Sequence, residues 1–343
     1  MDASRPTTLA DIAKATDLSK SAVCAALKHR PNVPHATREK VLKAAHRLGY
    51  RPDAQLGKMM SHIRRHRQEA ATCNVAWFYT GSTNSMYSLP WHAGCLKGAR
   101  QRAAELGLTL DMIWIDDPAF SSKDFTRMLV SRGVEGIIMA LLRGEHKELR
   151  INWSLFTCIF LDLATPCAQH VTCDYFHNMS LAMAKAKELG YRRPTYLCSE
   201  FQEFLSGGRF SAAFLYAQLA LLKKDRLPRF DIGLRGWDAC VKWIGKYKPD
   251  VLIVDCGDSL MEMESRGLSV PDDIGLIHTN ICSDVGDWSG LDQCHETIGA
   301  IMIENLHAHI IRGDKGLPTH INTIDLQGEW HSGKTTRSPK TQP

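Results

Sequence analysis

The most conspicuous chemical spacing in these 343 residues is Gly328-Glu329-Trp330-His331-Ser332-Gly333-Lys334-Thr335, which satisfies the G-x-x-x-x-G-K-[ST] pattern of a phosphate-cradling loop. Such a loop works by aiming backbone N–H groups and the start of a following helix at phosphate, and only Thr336 to Pro343 follow here, Pro339 among them. The match therefore reads as coincidence in a tail expected to be disordered over residues 331–343. A nucleotide-hydrolysing enzyme using Lys334 is the rival it leaves standing. No G-x-G-x-x-G, G-x-S-x-G or H-E-x-x-H occurs, and His62 and His66 lie four apart with no acidic or cysteine companion nearby. None of the eleven cysteines forms a C-x-x-C pair, so they are expected as small buried hydrophobes of a reducing compartment. Neither an enzyme, a metal site nor a cofactor is expected.

A different chemistry is concentrated near the amino terminus. Lys20 can donate to guanine O6 and N7, Ser21 can bond either kind of base edge, and Ala25 can touch only a thymine methyl. Thr8, Ser19, Lys28, Thr37 and Arg38 are suited to phosphates, and Arg64, Arg65 and Arg67 follow as a further basic run. Charge is distributed accordingly. Residues 1–70 hold 14 Lys and Arg against 6 Asp and Glu, whereas the remainder holds 28 against 31. A basic segment on a slightly acidic body is the footprint of a polyanion-binding module, a solvated basic face being the alternative.

The elements that must position these groups are short helices. Thr8 caps a first helix with Leu9, Ile12 and Ala13 on one face and Asp11 completing a capping box. Ser19 caps a second through about Lys28, and its apolar positions Val23, Ala26 and Leu27 leave Lys20, Ser21, Cys24, Ala25 and Lys28 facing outward. Thr37 is expected to cap a third, carrying Val41, Leu42, Ala45 and Leu48 and stopping at Gly49. Two helices joined by a three- or four-residue turn, in a basic segment, predict a helix-turn-helix with the second helix in the DNA major groove.

The runs Thr8-Leu9-Ala10-Asp11-Ile12-Ala13, Leu18-Ser19-Lys20-Ser21-Ala22-Val23, Thr37-Arg38-Glu39-Lys40-Val41 and Leu48-Gly49-Tyr50-Arg51-Pro52 closely resemble the headpiece of the lactose repressor (LacI/GalR) family of bacterial regulators. The family commonly presents valine-serine-arginine where this chain has Val23-Cys24-Ala25, so one long base-reading side chain is missing. The resemblance implies a hinge helix after Pro52 that pairs with its symmetry mate in the minor groove. Met59 falls at the wedge position and Leu56 where a small residue is usual.

From Asn74 onward strand-like runs alternate with helical ones: Val75 to Tyr79, a helix near Trp91 to Leu106, Leu110 to Ile115, Gly136 to Ala140, Cys158 to Leu163, Pro194 to Cys198, Val251 to Val254 and Ile274 to His278. This alternation predicts parallel doubly wound sheets, and over more than 250 residues two lobes with a ligand cleft between them. The segments Leu189-Gly190-Tyr191-Arg192-Arg193-Pro194, Gly267 to Gly275 and Leu291-Asp292-Gln293 resemble the family's connectors. By position, the resemblance places effector contacts on Asp162, Arg209, Trp237 and Asn280, the last where aspartate is usual.

The expected architecture is an all-α helix-turn-helix headpiece (1–52), a hinge helix and linker (53–73) and an α/β periplasmic-binding-protein-like domain of two parallel-sheet lobes (74–330). The expected partners are a double-stranded DNA operator, a small-molecule effector for which a sugar is one class, and a second copy of the chain. No run approaches the roughly 20 apolar residues of a membrane helix, and no leader is visible, so a cytoplasmic protein is expected. A solute-binding receptor without DNA function is the other rival, and the basic headpiece speaks against it.

Overall fold

The computed structural model describes residues 8–27, 33–50, 73–79, 90–115, 124–141, 150–161, 169–282 and 286–338. The chain divides into two compact units, Met1–Ala71 and Thr72–Pro343.

The first unit contains α1 (Leu9–Thr16), α2 (Lys20–Leu27) and α3 (His35–Arg47). The Asp11 carboxylate accepts both the Thr8 backbone N–H at 2.9 Å and the Thr8 hydroxyl at 2.7 Å, which fixes the start of α1. Its end is set by Asp17 in the left-handed region (φ 53°). The expected cap of α3 is displaced. Pro34, with an extended ψ, lets the helix begin at His35, so Thr37 lies within the first turn. Ile12, Ala13, Val23, Ala26, Val41, Ala44 and Ala45 close one small core. Leu42, expected inside, is exposed because Ala44 takes the inward position.

The second unit holds two six-stranded sheets. The first has the order β2-β1-β3-β4-β5-β11, from β1 (Cys73–Tyr79), β2 (Leu108–Trp114), β3 (Val134–Leu141), β4 (Thr157–Phe160), β5 (Gln169–Cys173) and β11 (Thr323–Leu326), all parallel. Strand β1 is central and covered on both faces. Val75, Trp77 and Tyr79 enter one core cluster and Ala76 and Phe78 another, as the two-residue side-chain period demands. The second sheet has the order β7-β6-β8-β9-β10-β12, from β6 (Pro194–Cys198), β7 (Phe230–Asp231), β8 (Val251–Val254), β9 (Gly275–His278), β10 (Gly290–Asp292) and β12 (Glu329–His331). Only β12 runs antiparallel, against β10.

The covering helices are α4 (Pro90–Glu105), α5 (Phe125–Ser131), α6 (Tyr175–Glu188), α7 (Glu200–Ser206), α8 (Arg209–Gln218), α9 (Ile232–Tyr247), α10 (Ser259–Glu264) and α11 (His295–Arg312). The chain crosses between the lobes three times, after β5, after β10 and between β11 and β12, and the crossings are stitched together. Asp174 N–H donates to Leu326 O at 2.7 Å, the Cys173 thiol to Gln293 Oε1 at 3.1 Å, and Gly328 N–H to Asn178 Oδ1 at 2.9 Å.

The tail does not fray where disorder was expected. Thr335 Oγ1 accepts from Ser289 N–H at 2.9 Å and donates to Leu276 O at 2.8 Å, and Thr336 Oγ1 pairs with Ser289 Oγ at 2.7 Å. Both threonines are buried, so the second lobe extends to residue 338. The reason is β12, which returns the chain to the sheet edge. Among the described residues no helix is long and apolar enough to cross a membrane.

Candidate nucleic-acid interface and interlobe cleft

On the first unit, the turn between α1 and α2 presents Ser19 and Lys20, both exposed. Ser19 Oγ accepts the Ala22 N–H at 3.2 Å, so the cap sits where the sequence places it. Cys24 and Ala25 are half-buried. Arg38 is held close to its own helix, one guanidinium nitrogen donating to Val33 O at 3.3 Å. An exposed, capped helix start bearing Lys20 can present backbone N–H groups and one ammonium to a polyanion. Lys28, Leu56, Met59, Arg64 and Arg65 lie outside the described residues, and of Ser21 only the backbone is described.

In the second unit, a pocket opens where the strands' carboxyl ends meet. The first lobe supplies Trp91 and Cys95 from α4, Leu161 after β4, and Thr172 and Cys173 from β5. The second supplies Gln202 and Leu205 from α7 and Asn280 after β9, while Tyr175, Gln293, His295 and Ile298 stand on or beside the crossings. Its polar groups are tightly bonded. Gln293 Nε2 donates to Thr279 O at 2.6 Å, and His295 Nε2 stands 2.7 Å from Asn280 Oδ1. Burial pushes the His295 imidazolium down to about 4, against a weaker opposing pull from Asp292, so the ring is neutral at pH 7. Burial likewise pushes the Cys173 thiol up to about 12, leaving it protonated.

Of the three expected effector contacts among the described residues, only Asn280 lines this pocket. Asp162 lies outside the described residues. Arg209, at the start of α8, instead reaches Asp325 on β11 with both carboxylate oxygens at 3.3 Å, an ion pair joining the two lobes. Burial holds the Asp325 carboxyl above its ordinary range despite that partner. Trp237 is partly buried and packs against the outer core of the second lobe, because α9 turns its apolar stripe inward. The pocket's aromatic side chains are Trp91 and Tyr175, which the sequence alone did not single out, any more than Cys95 and His295. None of these belongs to a local motif; strand and crossing geometry alone brings them together.

The phosphate-loop spacing takes another form. Lys334 pairs with Asp287, and the Thr335 hydroxyl is consumed by Ser289 and Leu276. The segment is an edge strand followed by a buried strap, with no helix start to face a phosphate.

Residues 8–53 match the family model described as "Bacterial regulatory proteins, lacI family". That segment is a lacI-type headpiece. The chain is 22% identical over 146 residues to the HTH-type transcriptional regulator MalR of Streptococcus pneumoniae, a match spanning 43% of this chain and 42% of the relative. Its fold resembles a transcriptional regulator CelR–cellobiose complex (TM-score 0.59, 17% identity, 96% of this chain and 100% of the other). It also resembles the lac repressor dimer bound to operator and the anti-inducer ONPF (TM-score 0.58, 16% identity, 97% and 100%). A third likeness is a periplasmic binding protein/LacI transcriptional regulator of Alkaliphilus metalliredigens QYMF complexed with D-xylulofuranose (TM-score 0.56, 17% identity, 78% and 100%). All three likenesses are of fold, and the first two span nearly the whole chain.

Proposed function

We propose that this chain is a sequence-specific DNA-binding transcriptional repressor that acts as a homodimer in the cytoplasm and is controlled by a small uncharged molecule, sugars included, bound between its lobes. The observation that carries the reading is the combination of a lacI headpiece, whose capped helix exposes Lys20, with a two-lobed body that holds a polar and aromatic cleft. In this reading Lys20, Ser21 and Ala25 read base edges, while Thr8, Ser19, Lys28, Thr37, Arg38, Arg64 and Arg65 hold phosphates. Leu56 and Met59 enter the minor groove from a hinge helix. Two headpieces meet half-sites roughly one helical turn, ~34 Å, apart on a near-palindromic operator. Ligand shifts the lobes at their three stitched crossings and so biases the pairing of the hinges.

The test is selection of bound sites from random duplexes, followed by Lys20→Ala. A base-reading lysine predicts changed sequence preference, with about 1–3 kcal/mol lost on the selected site. Weakening that is equal on the selected and scrambled duplexes would assign Lys20 to phosphate instead.

A further inference from the structure

Resting on the assignment of the cleft as the ligand site, we propose that Asn280 offers its side-chain N–H₂ as a donor to the ligand, which is an uncharged ring compound carrying a carbonyl or ring-nitrogen acceptor at that point. The orientation of the amide follows from a short relay. Cys95 Sγ stands 3.8 Å from His295 Nδ1, and because sulfur is a weak acceptor and a ring nitrogen a good one, we take the thiol as the donor and Nδ1 as the bare nitrogen. The ring's single proton then sits on Nε2 and is donated to Asn280 Oδ1, 2.7 Å away. The Cys282 thiol donates to the same oxygen at 3.6 Å. Two donors on Oδ1 turn the other end of the amide, Nδ2, into the group left for a ligand.

The relay runs in one direction because its two ends are fixed. Burial raises the Cys95 thiol far above its ordinary range, so it keeps its proton, and burial keeps His295 singly protonated at neutral pH. Of the other two amides lining the pocket, Gln202 and Gln293, the second is occupied at both ends, by Thr279 O and the Cys173 thiol. An aspartate at position 280 could only accept, and would select a ligand hydroxyl; asparagine held in this way selects an acceptor. The described lining carries no formal charge, and Trp91, Leu161 and Leu205 present apolar surface to a ring.

Two measurements on the full chain test this. Nitrogen-15 spectra of the histidine side chains should show His295 as the Nε2–H tautomer at pH 7; an Nδ1–H tautomer overturns the relay and requires no variant to establish. Titration with cyclohexanone and with cyclohexanol, followed on the Trp91 indole resonance, should show the ketone binding about fivefold more tightly, equivalent to ~1 kcal/mol. Asn280→Asp should reverse that order. Movement of Trp91 without the reversal, or no response to either probe, overturns the assignment of Asn280. Responses confined to resonances remote from Trp91 reject the cleft itself as the ligand site.

Discussion

His295 couples folding to acidity as well as orienting Asn280. Its neutral form is buried against α4, and protonation is resisted down to about 4, whereas an unfolded chain takes up that proton near the ordinary value of 6.5. The sign follows directly. Between these two values the unfolded state binds the extra proton, so stability falls as pH drops through the window and this contribution is complete above 6.5. His295→Phe should therefore flatten the stability profile between pH 6.5 and 4 by about 1.4 kcal/mol per unit at the steepest. Chemical denaturation across that range checks it, and an unchanged slope would mean that His295 is solvated in the folded state. At this scale the headpiece was legible in the sequence. Thr8, Asp11 and Ser19 act within three residues of themselves, so local spacing was enough. His295, Trp91 and Asn280 were not legible as a group, since Trp91 lies about 200 residues from the other two in the sequence.

Helices α4 and α11 cross without side chains between their backbones. A Cβ placed on Gly98 would stand 1.8 Å from Glu296 O, and one on Gly299 would stand 1.8 Å from Cys95 O. This contact sets where Cys95 and His295 meet, so the cleft depends on it. Gly98→Ala should cost about 3 kcal/mol through forced separation of the helices. Gly245→Ala, on the exposed side of α9 with nothing within 4 Å, should stabilise by about 1 kcal/mol. Thermal unfolding of the two variants against wild type gives the comparison, and equal effects would show that α4 and α11 do not pack as described. Element identity was read well where strands were buried on both faces: β6 and β8 were placed to the residue, because a continuous apolar run bounded by turn residues has few alternatives. The edge strand β12 and the strap behind it were missed. Their residues are mostly polar and acquire partners from β10, from Asp287 to Ser289 and from Leu276, far along the chain.

For the whole molecule, the two-lobed organisation was visible as a rhythm of strands and helices, and the three crossings supply what that rhythm could not: a pivot. Cys173, Gln293 and Gly328 tie the crossing segments side by side, while Arg209 and Asp325 hold the lobes across the same gap. Closure of the cleft about that seam is the motion the proposed function requires. The measurement that bears most directly on this account is binding of the full chain to duplexes carrying the selected sequence, taken across a series of salt concentrations and paired with mass determination of the complex. Two chains per near-palindromic duplex, with affinity falling steeply as salt rises, is the expected result. Failure to bind any duplex at low ionic strength would contradict it.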